Sequence, residues 1–168
     1  MENISGAGDL TIRTRLLPGD LGSIAQMHGK LYAEECGYGL AFEGYVLQGL
    51  HEFSLRYSPG KDRVWICEDA GRVVGFLVAL NREEEASVQL RYFILLPGYR
   101  GLGLGRRLMD LFIGYMRENG CHRAYLWTTN EQHAAVSLYT RYGFRLTEEK
   151  TSNAFGKLLL EQRYDLVL

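Results

Sequence analysis

A glycine-rich stretch between a strand-like run and a helical run is the feature that most constrains the fold of this chain. Residues 95–109 read LLPGYRGLGLGRRLM, with glycines at positions 98, 101, 103 and 105. Because glycine has no Cβ, the backbone there can adopt open conformations and come close to a ligand. The first N–H groups of the following helix have no intrahelical partners and favour an anion such as a phosphate. The stretch therefore predicts an anion-binding loop at a helix N-terminus, to which Arg100 and Arg106 can add charged donors.

The spacing of the glycines distinguishes this loop from two other phosphate-binding loops. A P-loop ends in Gly-Lys-Ser or Gly-Lys-Thr, whereas Gly105 is followed by two arginines. The dinucleotide-binding pattern Gly-x-Gly-x-x-Gly is also absent, because the glycines alternate at 101, 103 and 105. The pattern that remains is Arg-x-x-Gly-x-Gly, formed by Arg100, Gly103 and Gly105. A glycine-rich turn that binds nothing is the alternative interpretation of the same residues.

Length and composition limit the class of protein. A chain of 168 residues, 46% of them apolar, suits one domain with a sizeable core. Its 19 basic and 20 acidic side chains leave a net charge of −1, which disfavours a nucleic-acid partner. It has no run of 18 apolar residues and no signal-peptide pattern, so we expect a cytoplasmic protein that does not bind membranes. Three widely spaced cysteines, at positions 36, 67 and 121, indicate reduced thiols and no metal site.

Apolar periodicity predicts one α/β domain over residues 10–168, preceded by a mobile tail of residues 1–9. The strand that leads into the glycine loop is predicted to have one buried face, because apolar residues recur there at period two. Those residues are Val88, Leu90, Tyr92, Ile94 and Leu96. The element order is strand, two helices, three strands, helix, strand, helix and two strands. This order predicts a mixed central β-sheet with helices on both faces and a ligand crevice where strands diverge.

Two motifs together resemble those of the GCN5-related N-acetyltransferase (GNAT) superfamily. The Arg-x-x-Gly-x-Gly loop is similar to its pyrophosphate loop, and residues 135–144, AVSLYTRYGF, are similar to its Ala-x-x-Leu-Tyr-x-x-x-Gly-Phe helix. The element order also resembles that of the superfamily. Further segments, at residues 90–93, 126–128, 146–149, 155–157 and 161–164, resemble the acetyltransferase half of bacterial proteins fused to a MarR-type regulator. The regulator half is missing, so no DNA binding is expected.

The resemblance implies a single-domain GNAT fold and an N-acetyltransferase that moves the acetyl group of acetyl-coenzyme A (acetyl-CoA) to a primary amine of a small molecule or peptide. It also implies that the strand before the loop runs beside the pantetheine arm and that one of its N–H groups polarises the thioester. Those strand residues are Phe93, Ile94 and Leu95. The residues implied to hold the pyrophosphate are Arg100, Gly101, Leu102, Gly103, Leu104, Gly105 and Arg106. Gln132 stands where many members have an asparagine that holds the pantetheine, and it offers the same amide on a longer stem.

Acetyl transfer also needs a proton for the departing thiolate and a base for the incoming ammonium. Tyr139 falls on the family position whose phenol donates that proton, and a phenol with a pKa of roughly 10 is protonated at neutral pH. A core aromatic is the alternative role for Tyr139. Relatives often carry a Glu on the strand before the loop, but its polar residues here are Gln89 and Arg91. No base is assigned; Glu34 and Glu35 are candidates that would act through water, and the histidines are expected at the surface or in capping roles.

The acceptor pocket is expected between the first two helices and the final strands. Its candidate lining residues, which would serve equally well in the core, are Tyr32, Tyr38, Phe42, Tyr45 and Phe155. No cluster of charge points to one class of acceptor. Because the usual Glu is missing, a non-catalytic regulatory module that binds acetyl-CoA or CoA is the second hypothesis. The last strand, residues 158–168, is expected to expose an edge through which the chain forms a homodimer.

Overall fold

The computed structural model describes residues 10–168, in which seven strands form one sheet and four α-helices cover it. The predicted tail, residues 1–9, lies outside the described residues. The strands are β1 (Thr11–Arg13), β2 (Arg63–Asp69), β3 (Arg72–Arg82), β4 (Ser87–Leu95), β5 (Arg123–Thr129), β6 (Arg145–Ser152) and β7 (Leu159–Val167). The helices are α1 (Asp20–Cys36), α2 (Leu40–Arg56), α3 (Leu104–Glu118) and α4 (His133–Arg141). The predicted element order is confirmed.

The sheet divides at its one parallel pair. Its strand order is β1-β2-β3-β4-β5-β7-β6, and all neighbours are antiparallel except β4 and β5. These two strands pair only through Val88 with Ala124 and Gln89 with Tyr125. Beyond Gln89 they diverge, so the β5 side of β4 has no strand partner within residues 10–168. The predicted divergence of neighbouring strands is therefore confirmed, and it lies on the β4 segment that leads into the glycine loop.

Each face of the sheet has its own core. One core lies under α3 and α4 because α3 repeats apolar residues at helical spacing, among them Leu104, Leu108 and Phe112. The other core lies under α1 and α2 and includes Ile24 and Phe53. Helices cover both faces, as predicted. In the part of the chain that the structure describes, no helix is both long and apolar enough to cross a membrane.

A β-bulge interrupts β4 and changes which side chains face which core. Phe76 of β3 pairs with Ile94 of β4, but Val78 pairs with Arg91. The single residue of β3 between these pairs therefore lies opposite two residues of β4, positions 92 and 93. Tyr92, the first of the two, has a φ of +53°, which is uncommon for a residue with a Cβ. The extra residue shifts the alternation of β4 by one position.

The predicted period-two face of β4 is therefore wrong beyond the bulge. Val88 and Leu90 belong to the core under α3 and α4, whereas Tyr92 and Ile94 belong to the core under α1 and α2. Phe93, which the alternation places with the polar side chains, packs against the first of these cores instead. A pattern of apolar residues carries no sign of a bulge, because both faces of this strand are buried.

The last strand is not an edge, which corrects the predicted dimer edge. β7 lies between β5 and β6 and pairs with both, so β6 is the outer strand on this side of the sheet. Residues 145–151 of β6 are exposed. In the final hairpin the earlier strand, β6, is therefore the edge strand, and the later strand, β7, is internal. A hairpin pattern in the sequence does not reveal this order.

Candidate active site

The glycine loop joins β4 to α3 and leaves the start of that helix open. Gly101 and Gly103 have φ angles of +74° and +85°, in the left-handed region that favours glycine. The first backbone hydrogen bond of α3 runs from Arg107 N–H to the Gly103 carbonyl, at 3.0 Å. The N–H groups just before Arg107 therefore have no helical acceptor, as the anion-binding interpretation requires.

Gly105 lies near side chains of α4 and β4. A Cβ at this position would lie 3.4 Å from Leu138 Cδ2, 3.8 Å from Leu95 Cδ1 and 3.9 Å from Phe93 Cζ. These are ordinary van der Waals distances, so a methyl group would fit at this position between α3, α4 and β4.

The Arg100 guanidinium forms two hydrogen bonds within the protein. Its Nε donates to the Leu95 carbonyl at 2.9 Å, and its Nη1 donates to Glu35 Oε1 at 2.8 Å. Glu35, one of the two candidate bases, is therefore the ion-pair partner of Arg100. Glu34, the other candidate, is exposed on α1.

A cavity of about 1210 Å³, which includes its open mouth, lies between the ends of α1 and β4, the glycine loop and α4; we call it the loop cavity. Seven of the predicted cofactor-binding residues line it: Phe93, Ile94, Leu95, Arg100, Gly101, Gly105 and Gln132. The structure does not place the other four on its lining. Arg106 and Leu102 are exposed, Gly103 ends the loop, and the side chain of Leu104 is buried in the core, so only its backbone is open to a ligand.

Gln132 connects the start of α4 to the end of α1. Its Nε2 lies 3.1 Å from Cys36 Sγ, to which it donates a weak hydrogen bond. Burial raises the pKa of the Cys36 thiol. The amide predicted to hold a pantetheine therefore already has a protein partner, and it lines both the loop cavity and a second cavity beyond it.

Tyr139 lies where these two cavities meet. Its side chain lines both, and its ring packs 6.2 Å from the Phe93 ring and 6.0 Å from the Phe144 ring. Its hydroxyl has no hydrogen-bond partner among residues 10–168. Burial raises the pKa of Tyr139 above its usual value, so the phenol keeps its proton at neutral pH. The two roles weighed for Tyr139, core aromatic and proton donor, are compatible in this geometry.

The second cavity, of about 930 Å³ with its open mouth, is predominantly aromatic; we call it the aromatic cavity. It lies between α1, α2 and the sheet. All five predicted acceptor-pocket residues line it, together with four more aromatic side chains: Tyr92, Phe93, Trp127 and Tyr139. Many of these rings contact one another, as Phe42 and Phe155 do at 5.0 Å. The Tyr38 hydroxyl is 2.9 Å from Thr129 Oγ1.

Two charged side chains line the aromatic cavity, and the sequence analysis assigned neither to the acceptor. Arg91 of β4 lies with its guanidinium carbon 4.9 Å from the Tyr92 ring centre and 5.9 Å from that of Tyr45. Glu161 of β7 has Lys150 as its ion-pair partner, at a long 3.9 Å. The signal for Arg91 lay in its position on the strand that leads into the glycine loop.

His28 also lines the aromatic cavity, so its predicted place at the surface is wrong. Its Nδ1 is 2.8 Å from the Ile24 carbonyl, and burial lowers its pKa to about 4. The imidazole is therefore neutral at pH 7. Ile24, His28 and Leu31 follow one another at helical spacing on the buried face of α1, a signal that places the histidine inside.

Comparisons with known proteins agree with this arrangement. The model of the acetyltransferase (GNAT) family matches residues 30–144. The chain is 34% identical over 149 residues to the uncharacterized N-acetyltransferase YjgM of Escherichia coli, covering 86% of each chain. It is 32% identical over 102 residues to N-acetyltransferase family 8 member 2 of Rattus norvegicus, covering 58% of this chain and 45% of that one.

Solved structures show the same fold at lower sequence identity. A GNAT-family acetyltransferase of Staphylococcus aureus superposes with a TM-score of 0.75 at 18% identity, covering 95% of this chain and 99% of that one. Spermidine N-acetyltransferase of Vibrio cholerae, solved with CoA and spermine, has a TM-score of 0.69 at 22% identity, covering 94% and 95%. Because the family model spans more than half of the chain and YjgM is similar over most of its length, this chain belongs to the acetyltransferase (GNAT) family.

Proposed function

We propose that this chain is an N-acetyltransferase that moves the acetyl group of acetyl-CoA to a primary amine of a small molecule or peptide. The observation that carries the proposal is the meeting of two cavities at Tyr139 and Gln132. One cavity begins at the glycine loop and the other is lined by aromatic rings. A thioester in the first and an amine in the second would meet beside the Tyr139 side chain.

Both the backbone groups and the charged side chains around the loop cavity suit acetyl-CoA. The open N–H groups at the start of α3, together with Arg106, suit a pyrophosphate. Arg100 would reach the same group on release from Glu35. The unpaired edge of β4 over residues 93–95 leaves backbone groups for the amides of a pantetheine arm.

Bound acetyl-CoA supplies an acetyl carbon on a thioester and a thiol leaving group. The amine nitrogen bonds to the acetyl carbon, and the carbon–sulfur bond breaks. Tyr139, which lines both cavities, gives its proton to the departing sulfur. The nitrogen loses two protons in becoming an amide: Glu161, the carboxylate that lines the aromatic cavity, accepts one directly or through water, and the other returns to Tyr139.

A panel of amines tests the proposal. Purified protein is incubated with acetyl-CoA and amino acids, alkylamines, polyamines or short peptides, and CoA release is measured with a thiol reagent. Calorimetry with acetyl-CoA and CoA is run in parallel. Release with at least one class of amine is the expected result, and protein that binds neither nucleotide would overturn the proposal.

The second candidate function is a non-catalytic module that binds acetyl-CoA or CoA. It is favoured by Gln89 and Arg91, which occupy the β4 positions where the resemblance led us to expect a carboxylate. Acetyl-CoA binding without CoA release across the whole panel would support it.

We also retain three finer proposals that rest on sequence. The chain resembles the acetyltransferase half of MarR-fused proteins, it works in the cytoplasm, and it forms a homodimer. The exposed outer strand β6 now supports the last of these in place of β7. Light scattering at micromolar protein checks the dimer, and a monomer mass would contradict it.

A further inference from the structure

Arg91 is a cation without an ionic partner in the aromatic cavity. Within residues 10–168 its guanidinium makes no ion pair and no hydrogen bond, and its contacts are with the rings of Tyr92 and Tyr45. Both rings line the same cavity. A guanidinium has five N–H donors, which usually bind carboxylates or phosphates when they are removed from bulk water.

The local structure holds Arg91 against the cavity. The bulge in β4 puts the consecutive residues Arg91 and Tyr92 side by side on the cavity, which a regular strand would not do. Gly49 of α2 then makes room for both side chains. A Cβ at Gly49 would lie 2.6 Å from the Tyr92 hydroxyl oxygen and 2.7 Å from Arg91 Nη2.

The Tyr92 hydroxyl is a second donor without an acceptor at this place. It is buried and has no hydrogen-bond partner in the part of the chain that the structure describes. Because it and Arg91 Nη2 both lie next to Gly49, one anion beside Arg91 would be close to both donors. A buried donor left unpaired costs free energy, so this corner of the cavity favours a ligand with an acceptor.

We propose that the acceptor is an α-amino acid with an aromatic or other apolar side chain, whose carboxylate pairs with Arg91. The inference rests on the function proposed above and specifies its substrate class. The two charged side chains that line the cavity, Arg91 and Glu161, have opposite signs and so complement a zwitterion. The surrounding aromatic rings provide the apolar surface that buries the amino-acid side chain.

The same charges disfavour a polyamine. A polyamine carries several positive charges and no negative one, so it would meet the guanidinium of Arg91 without an anion of its own to offset it. Glu161 is the only carboxylate among the residues that the structure places on this cavity. The acceptor of this chain therefore differs in charge from spermine, which is bound in the Vibrio cholerae neighbour.

The experiment compares acceptors that differ only in the carboxylate. The probes are L-phenylalanine and L-phenylalaninamide, whose neutral amide replaces the carboxylate, with spermidine as a third ligand. Binding to the CoA-saturated protein is measured by calorimetry, and kcat/KM is measured with acetyl-CoA. The variants are Arg91→Gln and, as a matched control, Arg63→Gln, which removes an arginine stacked 5.5 Å from the Tyr115 ring outside the cavity.

We expect the native protein to bind L-phenylalanine at least about tenfold more tightly than its amide, which is the usual effect of a hydrogen bond to a charged group. Arg91→Gln should remove that preference and leave the affinity for the amide within about threefold, while Arg63→Gln keeps it. Equal binding of acid and amide, or an unchanged preference in Arg91→Gln, would overturn the substrate class. Turnover of spermidine but not of L-phenylalanine would also overturn it and would leave the proposed acetyltransferase function intact.

Discussion

At the scale of single residues, the proposed proton donor Tyr139 can be tested most directly. Tyr139→Phe keeps the ring and its packing but removes the donor, so we expect turnover to fall by roughly 10- to 10³-fold with acetyl-CoA affinity nearly unchanged. Because the hydroxyl has no partner among the described residues, its loss leaves no other group unsatisfied. The melting temperature should therefore change little.

Tyr142→Phe is the matched control, since it lies at the end of the same helix. Its hydroxyl oxygen lies 2.6 Å from Asp110 Oδ1 and 2.9 Å from the Arg106 carbonyl oxygen, and its single proton is shared between these two acceptors. We expect this variant to lose about 1 kcal/mol of stability and to keep its turnover. If Tyr139→Phe retains turnover within about twofold, the ring serves the core alone.

His28 gives the protein a testable dependence on acid. Burial lowers the pKa of His28 from 6.5 to about 4. Between pH 4 and pH 6.5 the unfolded chain therefore binds a proton at His28 that the folded chain does not bind. Stability from this group is complete above pH 6.5 and is lost as pH falls towards 4, by on the order of 3 kcal/mol.

Urea denaturation at pH 7, 5.5 and 4.5 checks this expectation. His28→Gln should flatten the pH dependence of the free energy of unfolding in that window. His51→Gln, on the exposed face of α2, is the control and should leave the slope unchanged. Parallel slopes for the native protein and His28→Gln would show that other groups cause the acid sensitivity.

At the scale of elements, the glycine loop can be tested without confusing ligand binding with backbone strain. Gly103 has a φ of +85°, so replacing it by any residue with a side chain strains the backbone, even though the added Cβ would meet only Arg106 Nη2, at 3.9 Å. Such a replacement therefore lowers the stability of the fold. Gly120, at the other end of α3, has a φ of +65° and open space around it.

We expect Gly103→Ala and Gly120→Ala to lose similar stability, on the order of 1–2 kcal/mol, because both force a left-handed alanine. Only Gly103→Ala should weaken acetyl-CoA binding, by tenfold or more, which calorimetry measures. Equal affinities in the two variants would remove the loop from the binding site.

The elements also show how far the sequence predicts this molecule. Apolar periodicity, together with the turn residues that interrupt it, predicted α1 to α4 and the order of elements along the chain, because each periodicity reflects one buried face and each interruption an end. The bulge at Tyr92 was missed because residues 92–95 are all apolar, so the polar alternation of Gln89 and Arg91 does not continue far enough to reveal a shift. The place of β7 was missed because a hairpin pattern shows that β6 and β7 pair with each other but does not show which of them pairs with β5. The aromatic lining was predicted, but the partnerless state of Arg91 depends on contacts between distant elements.

At the scale of the whole molecule, the binding of CoA in the loop cavity should stabilise the fold. A ligand that binds only the folded chain adds about 2.7 kcal/mol at a hundred times its dissociation constant, which corresponds to roughly 5–10 °C in melting temperature for a chain of this size. We expect CoA to produce this shift in the native protein. Gly103→Ala at the same CoA concentration should show about half that shift or less, because its affinity is expected to be at least about tenfold weaker, and equal shifts would place the binding elsewhere.

The break between β4 and β5 also divides the chain along its length. Strands β1 to β4 come from residues 11–95 and strands β5 to β7 from residues 123–167, so each part of the sheet is built from consecutive sequence. The two parts are complementary fragments of the sheet: α3 connects them along the chain, and β4 and β5 pair directly through two residue pairs. The loop cavity has walls from both, Phe93 on one side and Gln132 on the other. A molecule held there would bridge the fragments and take the place of the backbone hydrogen bonds that the diverging strands lack.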